Sequence, residues 1–245
     1  MWSSVSAIIP VYNSIKSLDE LYYRLSEELE KISSKYEIIL IDDGSIDKSY
    51  EKMRELREKD NRVKIIQLDG NFGQQNAIMC GFHHAQGEYI VTLDDDLQHM
   101  PEYIEKLLNK LDEGYDVVYG IAEKKQHSFY RNLGSKITNY LFNKICSKPK
   151  DIRVSSFRVI KRDVLIDIIK NDFAFVYISA ITLKITKNIG NVCIKHDARK
   201  YGNSNYNFAK LLKLFVKLYV YYSNTRFTKI FISSAPQFRI KDKML

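Results

Sequence analysis

Long apolar runs are missing from this chain. No stretch approaches the roughly 20 apolar residues that a membrane-spanning helix needs. Met1 to Ser6 carry no charge and lead into no long apolar core, which predicts no signal peptide. Cysteine is scarce: Cys80, Cys146 and Cys193 lie far apart, form no metal or redox spacing, and read as reduced thiols of a cytosolic protein. The histidines offer no zinc site either, because His83 and His84 have no Glu at ligand spacing and read as structural. Only four prolines and ten glycines punctuate 245 residues, and neither a low-complexity linker nor an internal repeat is visible. What remains is an ordinary globular composition, 45% hydrophobic and 28% charged, long enough to bury a substantial core.

Charge is distributed unevenly. Residues 1–120 hold 13 Lys+Arg against 23 Asp+Glu, a net of −10, whereas residues 121–245 hold 25 against 7, a net of +18. The basic part is expected to face something anionic: phosphates, a lipid headgroup surface or nucleic acid.

The first 121 residues alternate apolar strands with amphipathic helices. Val5–Val11, Ile38–Ile41, Val63–Leu68, Tyr89–Leu93 and Asp116–Ile121 read as strands, with helices at Leu18–Ser33, Lys48–Lys59, Gln75–Ala85 and Glu102–Leu111. This predicts an α/β unit with a mainly parallel sheet, whose ligands gather at the carboxyl ends of strands. Beyond the charge change, Tyr130–Ile145 reads as a helix, Val154–Ile160 and Asn191–Lys195 as strands, and Val176–Thr186 fits either. A helix is expected from Asn207, with Lys210, Lys213 and Lys217 on one face.

Asp94-Asp95-Asp96-Leu97-Gln98 is the densest chemical signal. Three carboxylates at a strand end repel one another and call for a counter-charge. A divalent cation supplies it: Asp94 and Asp96, one residue apart, can turn to one ion, and Gln98 adds a neutral oxygen. Such hard ligands suit Mg²⁺ or Mn²⁺ shared with substrate phosphates. A solvated acidic turn before a helix bearing Pro101 and Glu102 in its first turn fits the pentapeptide as well.

Other strand ends carry further candidates. Asp42-Asp43-Gly44-Ser45 offers acceptors for a base or ribose, or alternatively a helix entry capped by Ser45 or Asp47. Pro10-Val11-Tyr12-Asn13 offers an aromatic face for a base, or rim packing. The loop Asn71 to Asn76, with Gln75, opens a helix whose free N–H groups suit an anion or a sugar hydroxyl, or forms a simple cap. Arg199, Arg158 and Arg131 are candidate phosphate ligands.

These residues, in this order, resemble the family-2 glycosyltransferases with the GT-A fold. Ile8-Ile9-Pro10-Val11-Tyr12-Asn13, Ile41-Asp42-Asp43-Gly44-Ser45, Asn71-Phe72-Gly73 and Leu93-Asp94-Asp95-Asp96-Leu97-Gln98 carry the resemblance. Ser155-Ser156-Phe157-Arg158 and Arg199 to Tyr206 are similar to the acceptor-side motifs of polyprenyl-phosphate and dolichol-phosphate sugar synthases. The resemblance implies that Tyr12, Asp42 and Asp43, with Pro10 and Asn13, hold the base and ribose. Asp94 and Asp95 help to hold the nucleotide or sugar, with Gln75 nearby. Asp96 and Gln98, with Asp94, bind the metal. Arg131, Arg158, Arg199 and Ser204 bind phosphates of donor and acceptor, Ser156 is a further substrate contact, and Asp94, Asp96, Arg158 and Arg199 form the catalytic set. Ser14 stands where such enzymes commonly have Glu, Gln74-Gln75 replaces a more usual charged pair, and the two C-terminal membrane helices of many relatives are absent.

The expected reaction is inverting, metal-dependent transfer from a nucleotide-diphosphate sugar to a polyprenyl phosphate, by a GT-A catalytic domain over residues 1–206 followed by a basic amphipathic extension over 207–245. Residues 155–190 lack the Glu-Asp pair that hydroxyl-glycosylating relatives commonly carry, which favours a phosphate acceptor. Transfer to a glycan or protein hydroxyl, with Asp172 or Asp151 as base, is the alternative. A nucleic-acid-binding role accounts for the +18 region but not for the ordered acidic motifs, so no nucleic-acid partner is expected. A degenerate homologue sits badly with the intact Asp94–Gln98 segment. The extension reads either as a core-packing helix with a wet Lys-lined face or as an interfacial helix on an anionic membrane surface. The second reading places the protein in the cytoplasm, peripheral to the inner face of the membrane, with room for a homo-oligomer or a separate membrane partner.

Overall fold

In a computed structural model of the chain, residues 1–123, 145–146, 148–195, 208–223 and 235–245 are described. The expected helix at 130–145 and the motif from Arg199 to Tyr206 lie almost wholly or wholly outside them.

The strands are β1 (Val5–Val11), β2 (Tyr36–Asp42), β3 (Val63–Leu68), β4 (Tyr89–Thr92), β5 (Val117–Ala122), β6 (Arg158–Lys161), β7 (Ile189–Ile194) and β8 (Ile240–Met244). The helices are α1 (Leu18–Ile32), α2 (Ser49–Lys59), α3 (Gln74–His84), α4 (Ile104–Asp112, entered through a 3₁₀ turn at Pro101–Tyr103), α5 (Arg162–Ile168), α6 (Ile178–Ile185) and α7 (Phe208–Tyr222). The strands form one sheet in the order β7-β5-β6-β4-β1-β2-β3-β8. Neighbours are parallel except where β6 runs against β4 and β5 and β8 runs against β3.

Strand β1 sits near the middle and is buried throughout. Its side chains alternate between two cores. Ala7 and Ile9 pack with α1, α2 and α4, while Ile8 packs with α3, α6 and α7 on the other face. Gly81 lets α3 lie close to the sheet, since a Cβ there would come within 2.5 Å of Ile8 Cγ2. The chain runs outward from β1 through β2 to β3, then returns to lay β4 on the other side of β1. That reversal opens a crevice at the carboxyl ends of β1, β2 and β4, where ligands bind in open α/β sheets.

Three expectations change in the second half. The strand expected over Val154–Ile160 is confined to Arg158–Lys161, because Ser155 and Ser156 bend toward the crevice and the Thr92 hydroxyl donates to the Ser156 carbonyl at 2.5 Å. The ambiguous Val176–Thr186 is helical from Ile178 to Ile185. The sheet also gains β8, which carried no apolar run to announce it. It is held by its ladder with β3 and by the Tyr50 hydroxyl, which donates to Asp242 at 2.8 Å.

Candidate active site

The loop after β2 is closed by its own carboxylates. Asp43 accepts from the backbone N–H groups of Phe72 and Gly73 at 2.7 and 2.9 Å, and its own N–H donates to the Val11 carbonyl at 2.8 Å. Burial and then the neighbouring Asp42 charge push its carboxyl up to about 6, against the pull of the two N–H bonds. Asp42, fully buried, accepts from Ser45 N–H at 3.1 Å and from the Gln67 amide at 3.3 Å. Gly44 has φ +73°, and a Cβ on it would lie 2.6 Å from the Gly70 carbonyl carbon, so only glycine lets these two loops touch. Asn13, at φ 54°, joins the same assembly: its side-chain oxygen accepts from Ile46 N–H at 2.8 Å. Pro10 is buried in β1 opposite Ile41. Tyr12 differs from these neighbours, being 48% exposed at the rim with its ring available to a flat ligand.

The turn after β4 is built in another way. Asp95 points back to the first strand, accepting from Tyr12 N–H at 3.1 Å, and burial raises its carboxyl to about 6 while the Ser14 hydroxyl and the Tyr12 N–H pull it down. Asp94 and Asp96, like Asp95 itself, keep part of their surface exposed. Asp96 accepts from Gln98 N–H at 3.1 Å. Leu97 is buried at 2% exposure with φ 59°, a conformation costly for a branched side chain and commonest where a site demands it. Burying Leu97 in this conformation turns the chain so that Asp96 and Gln98 flank an anchored residue.

Asp94 is held by side chains rather than backbone. Ser156 Oγ donates to its Oδ2 at 2.7 Å, and the Gln74 amide donates to Oδ1. His99, nearly buried against the Phe157 ring, places Nδ1 3.6 Å from the same Oδ2. Ser156, expected from the sequence as a substrate contact, thus lies beside Asp94. Gln75 does not reach the crevice: its Oε1 accepts from Ile178 N–H at 3.0 Å and ties α3 to the start of α6.

Arg158 departs furthest from expectation. The sequence reading puts its guanidinium on a phosphate, yet it is 1% exposed. Nε donates to Thr92 Oγ1 at 3.0 Å and to the Ser156 carbonyl at 3.3 Å, one terminal nitrogen donates to Ser179 Oγ at 3.3 Å, and the group lies over the Tyr119 ring. A strand residue alternates its facing, and Arg158 takes the inward one, bracing the segment that carries Ser156. Arg131, Arg199 and Ser204 lie outside the described residues. Thr92, Ser179 and His99 are the site-forming residues that sequence reasoning missed, and Gln74 was noted only as part of its loop. Thr92 and His99 adjoin the Leu93–Gln98 motif, which is the only signal either gives, and Ser179 gives none.

Among the described residues, no group of three His, Cys, Asp or Glu side chains converges as a ready-made metal cage. Asp94, Asp96 and Gln98 instead offer the one or two carboxylates and neutral oxygen that suit Mg²⁺ or Mn²⁺ completed by substrate phosphates and water. All three residues are partly exposed at the end of β4, so the donor set is compatible with the ion.

The model of Glycosyl transferase family 2 matches residues 6–169, which contain every acidic motif described above. A protein of Salmonella choleraesuis strain SC-B67, "Undecaprenyl-phosphate 4-deoxy-4-formamido-L-arabinose transferase", is 37% identical over 215 residues, covering 87% of this chain and 66% of that protein. Its counterpart in Salmonella paratyphi B is 36% identical over the same shares. This chain thus spans just under two thirds of the length of those relatives. Among solved structures, glucosyl-3-phosphoglycerate synthase of Mycobacterium tuberculosis, in complex with Mn²⁺, UDP and phosphoglyceric acid, superposes with a TM-score of 0.66 at 16% identity, covering 89% of this chain and 76% of that one. The likeness is one of fold. With the family model matching residues 6–169, the chain belongs to glycosyltransferase family 2.

Proposed function

We propose that the protein transfers a sugar from a nucleotide-diphosphate donor to a polyprenyl phosphate, with inversion at the anomeric carbon. The observation that carries this reading is the 37% identity over 87% of the chain to a relative named as an undecaprenyl-phosphate sugar transferase. The crevice is compatible with it. An oxygen of the lipid phosphate attacks the anomeric carbon, the bond from that carbon to the diphosphate breaks, and the nucleoside diphosphate leaves. A lipid phosphate is largely ionised near neutral pH, its second pKa being about 6, so it needs no protein base.

In this reading the Tyr12 ring receives the base, while Asp42 and Asp43 form the wall beside it and offer their remaining lone pairs. Asp94, with Asp95 behind it, orients the sugar and diphosphate. Asp96 and Gln98, with Asp94, hold Mg²⁺ or Mn²⁺, which when bound supplies neutralisation of the leaving diphosphate. Arg131, Arg199 and Ser204 contribute phosphate contacts, and Arg158 acts by fixing Ser156.

The same reading places the protein on the cytoplasmic face of an anionic membrane. Helix α7 turns Leu218 and Tyr222 inward and leaves Val216 and Tyr219 exposed at 52% and 43%, with Lys213 and Lys217 exposed beside them. No helix among the described residues is long and apolar enough to cross a membrane. A partly apolar face ringed by lysines suits a headgroup surface, each Lys adding about 1 kcal/mol. The segment from 207 to 245 would then be a membrane-facing extension whose last strand is tied into the sheet.

Nucleotide release from a panel of nucleotide sugars, with and without polyprenyl phosphate, tests the reaction. Release that rises with the lipid, together with a lipid-linked sugar in the mass spectrum, is expected. Release stimulated only by a hydroxyl acceptor overturns the reading. Flotation with anionic vesicles at low salt is expected to carry the protein upward, and sedimentation with both anionic and neutral vesicles removes the membrane claim.

A further inference from the structure

A cavity of about 380 Å³ opens between the first turn of α3, the segment 174–176 and α7. One wall, Phe72 to Asn76, is the loop that the sequence offers to an anion or a sugar hydroxyl, whereas Ala174 to Val176, Lys217 and Tyr221 belong to no motif. Phe72, Phe175 and Tyr221 contribute aromatic rings to the cavity lining, with the Phe175 and Tyr221 rings 5.4 Å apart between centroids. Lys217 lines it as the cation, with Nζ 5.2 Å from the centre of the Phe175 ring. Lys217 has no carboxylate partner among the described residues. The floor is firm: Gln75 in the wall pins Ile178, and the Gln237 amide ties the C-terminal segment to the carbonyls of Asn171 and Phe173.

Gln74 connects this cavity to the crevice. It lines the cavity and its amide donates to Asp94, so the two spaces share a wall one side chain thick. Lys217 makes a second connection, since it belongs to the helix that exposes Val216 and Tyr219 to the outside. The cavity is therefore lined by residues of the helix proposed to face the membrane and by the partner of the residue proposed to orient the sugar.

We propose that this cavity seats the lipid acceptor, with its phosphate at Lys217 and Gln74 and its first isoprene units against Phe72, Phe175 and Tyr221. The inference rests on the polyprenyl-phosphate reading above and names where that substrate sits. One cation and the amides of Gln74, Gln75 and Asn76 beside three aromatic rings suit an anionic head joined to an unsaturated hydrocarbon. The volume holds a phosphate and the nearest carbons of the chain, leaving the remainder of the tail outside.

The test uses the full chain in detergent micelles, which removes any contribution from membrane docking. Acceptor KM, donor KM and nucleotide release without acceptor are measured for the wild type, Lys217→Glu, Lys217→Gln and a charge-matched control, Lys59→Glu on the exposed face of α2. Lys217→Glu is expected to raise acceptor KM by about tenfold or more, Lys217→Gln by less, and neither to move donor KM or basal release. A two-isoprene alkyl phosphate is expected to compete with the long lipid in the wild type and to lose potency in Lys217→Glu, while inorganic phosphate at the same concentration competes with neither. Acceptor KM unchanged in Lys217→Glu, with transfer to polyprenyl phosphate intact, overturns the cavity assignment and leaves the parent reading standing. Effective inhibition by inorganic phosphate alone overturns the lipid as occupant. Wild-type transfer to a hydroxyl acceptor and none to polyprenyl phosphate overturns both.

Discussion

Asp42-Asp43 and Asp94-Asp95-Asp96 follow parallel strands that flank β1, and each puts adjacent acids at the rim of one crevice. Their hydrogen bonds separate them. Asp43 gives both oxygens to backbone N–H groups of the loop before α3, and Asp42 accepts from Ser45 N–H and Gln67. Backbone donors on a packed loop cannot leave without unfolding it. Asp94 is held by the Gln74 amide and the Ser156 hydroxyl, side chains that can rotate away. Asp96 lies on a strained turn and accepts from Gln98 N–H within the turn itself. The first pair thus latches two loops together, and in the proposed reading the second is a socket that can exchange its partners for a ligand's. Chemically identical side chains differ in how firmly they are held by the kind of donor each meets.

The largest effect expected from this contrast is on the socket. Asp96→Ala should lower sugar transfer by two orders of magnitude or more, since charge neutralisation at a leaving diphosphate contributes several kcal/mol. The same variant should shift the urea midpoint little, within about 0.5 kcal/mol of stability. Near-normal turnover in the presence of chelator would break the distinction at its stronger end.

The latch should behave in the opposite way. Asp43→Asn keeps the shape but presents an N–H₂ to a backbone donor, leaving one N–H of Phe72 or Gly73 unsatisfied. A loss of about 1–3 kcal/mol in urea denaturation at pH 7 is expected. A variant as stable as the wild type would show that the loop closes without its carboxylate.

A pH series sharpens the point. The Asp43 carboxyl is raised from 3.8 to about 6 in the folded protein, so the folded state binds its proton more tightly than the unfolded chain. The stability it contributes is full below about pH 3.8 and is lost as pH rises through about 6. Asp43→Asn lacks this component. The advantage of the wild type over the variant should therefore widen as pH falls from 7 to 4. A gap that narrows over that range would contradict the burial of this acid.

The smallest effect belongs to the exchangeable contacts. Ser156→Ala removes one hydrogen bond to Asp94, worth about 1 kcal/mol, and should cost transfer a fewfold while lowering the melting temperature by no more than about 2–4 °C. A loss as large as that of Asp96→Ala would place Ser156 in the chemistry itself.

Much of the first half was legible because its signals are local. Val5–Val11 and Val63–Leu68 are apolar runs bounded by polar residues, and both strands fall on the expected residues. Leu18, Leu21, Leu25 and Leu29 recur at helical spacing and are all buried in α1. In α7, Leu218 and Tyr222 are four residues apart and face inward as such spacing requires. Strand β8 was not legible: Ile240-Lys241-Asp242-Lys243-Met244 has the charged composition of an edge strand and is defined by its neighbour β3 rather than by its own pattern. Arg158 misled for a related reason. An arginine in a polar motif reads as a surface cation, and only the register of β6 against β4 and β5 turns it into the interior, where Thr92 and Ser179 receive it.

The sequence by itself determined the alternation of strand and helix, the acids at the strand ends and the family, since each is written in neighbouring residues and their order. Only the tertiary structure decided which acids are occupied. Asp43 meets its donors 29 and 30 residues away, Asp95 meets Tyr12 across 83 and Ser156 reaches Asp94 across 62. A carboxylate's chemistry depends on whether such distant donors satisfy it, and those donors arrive only when the sheet is assembled and its loops have closed.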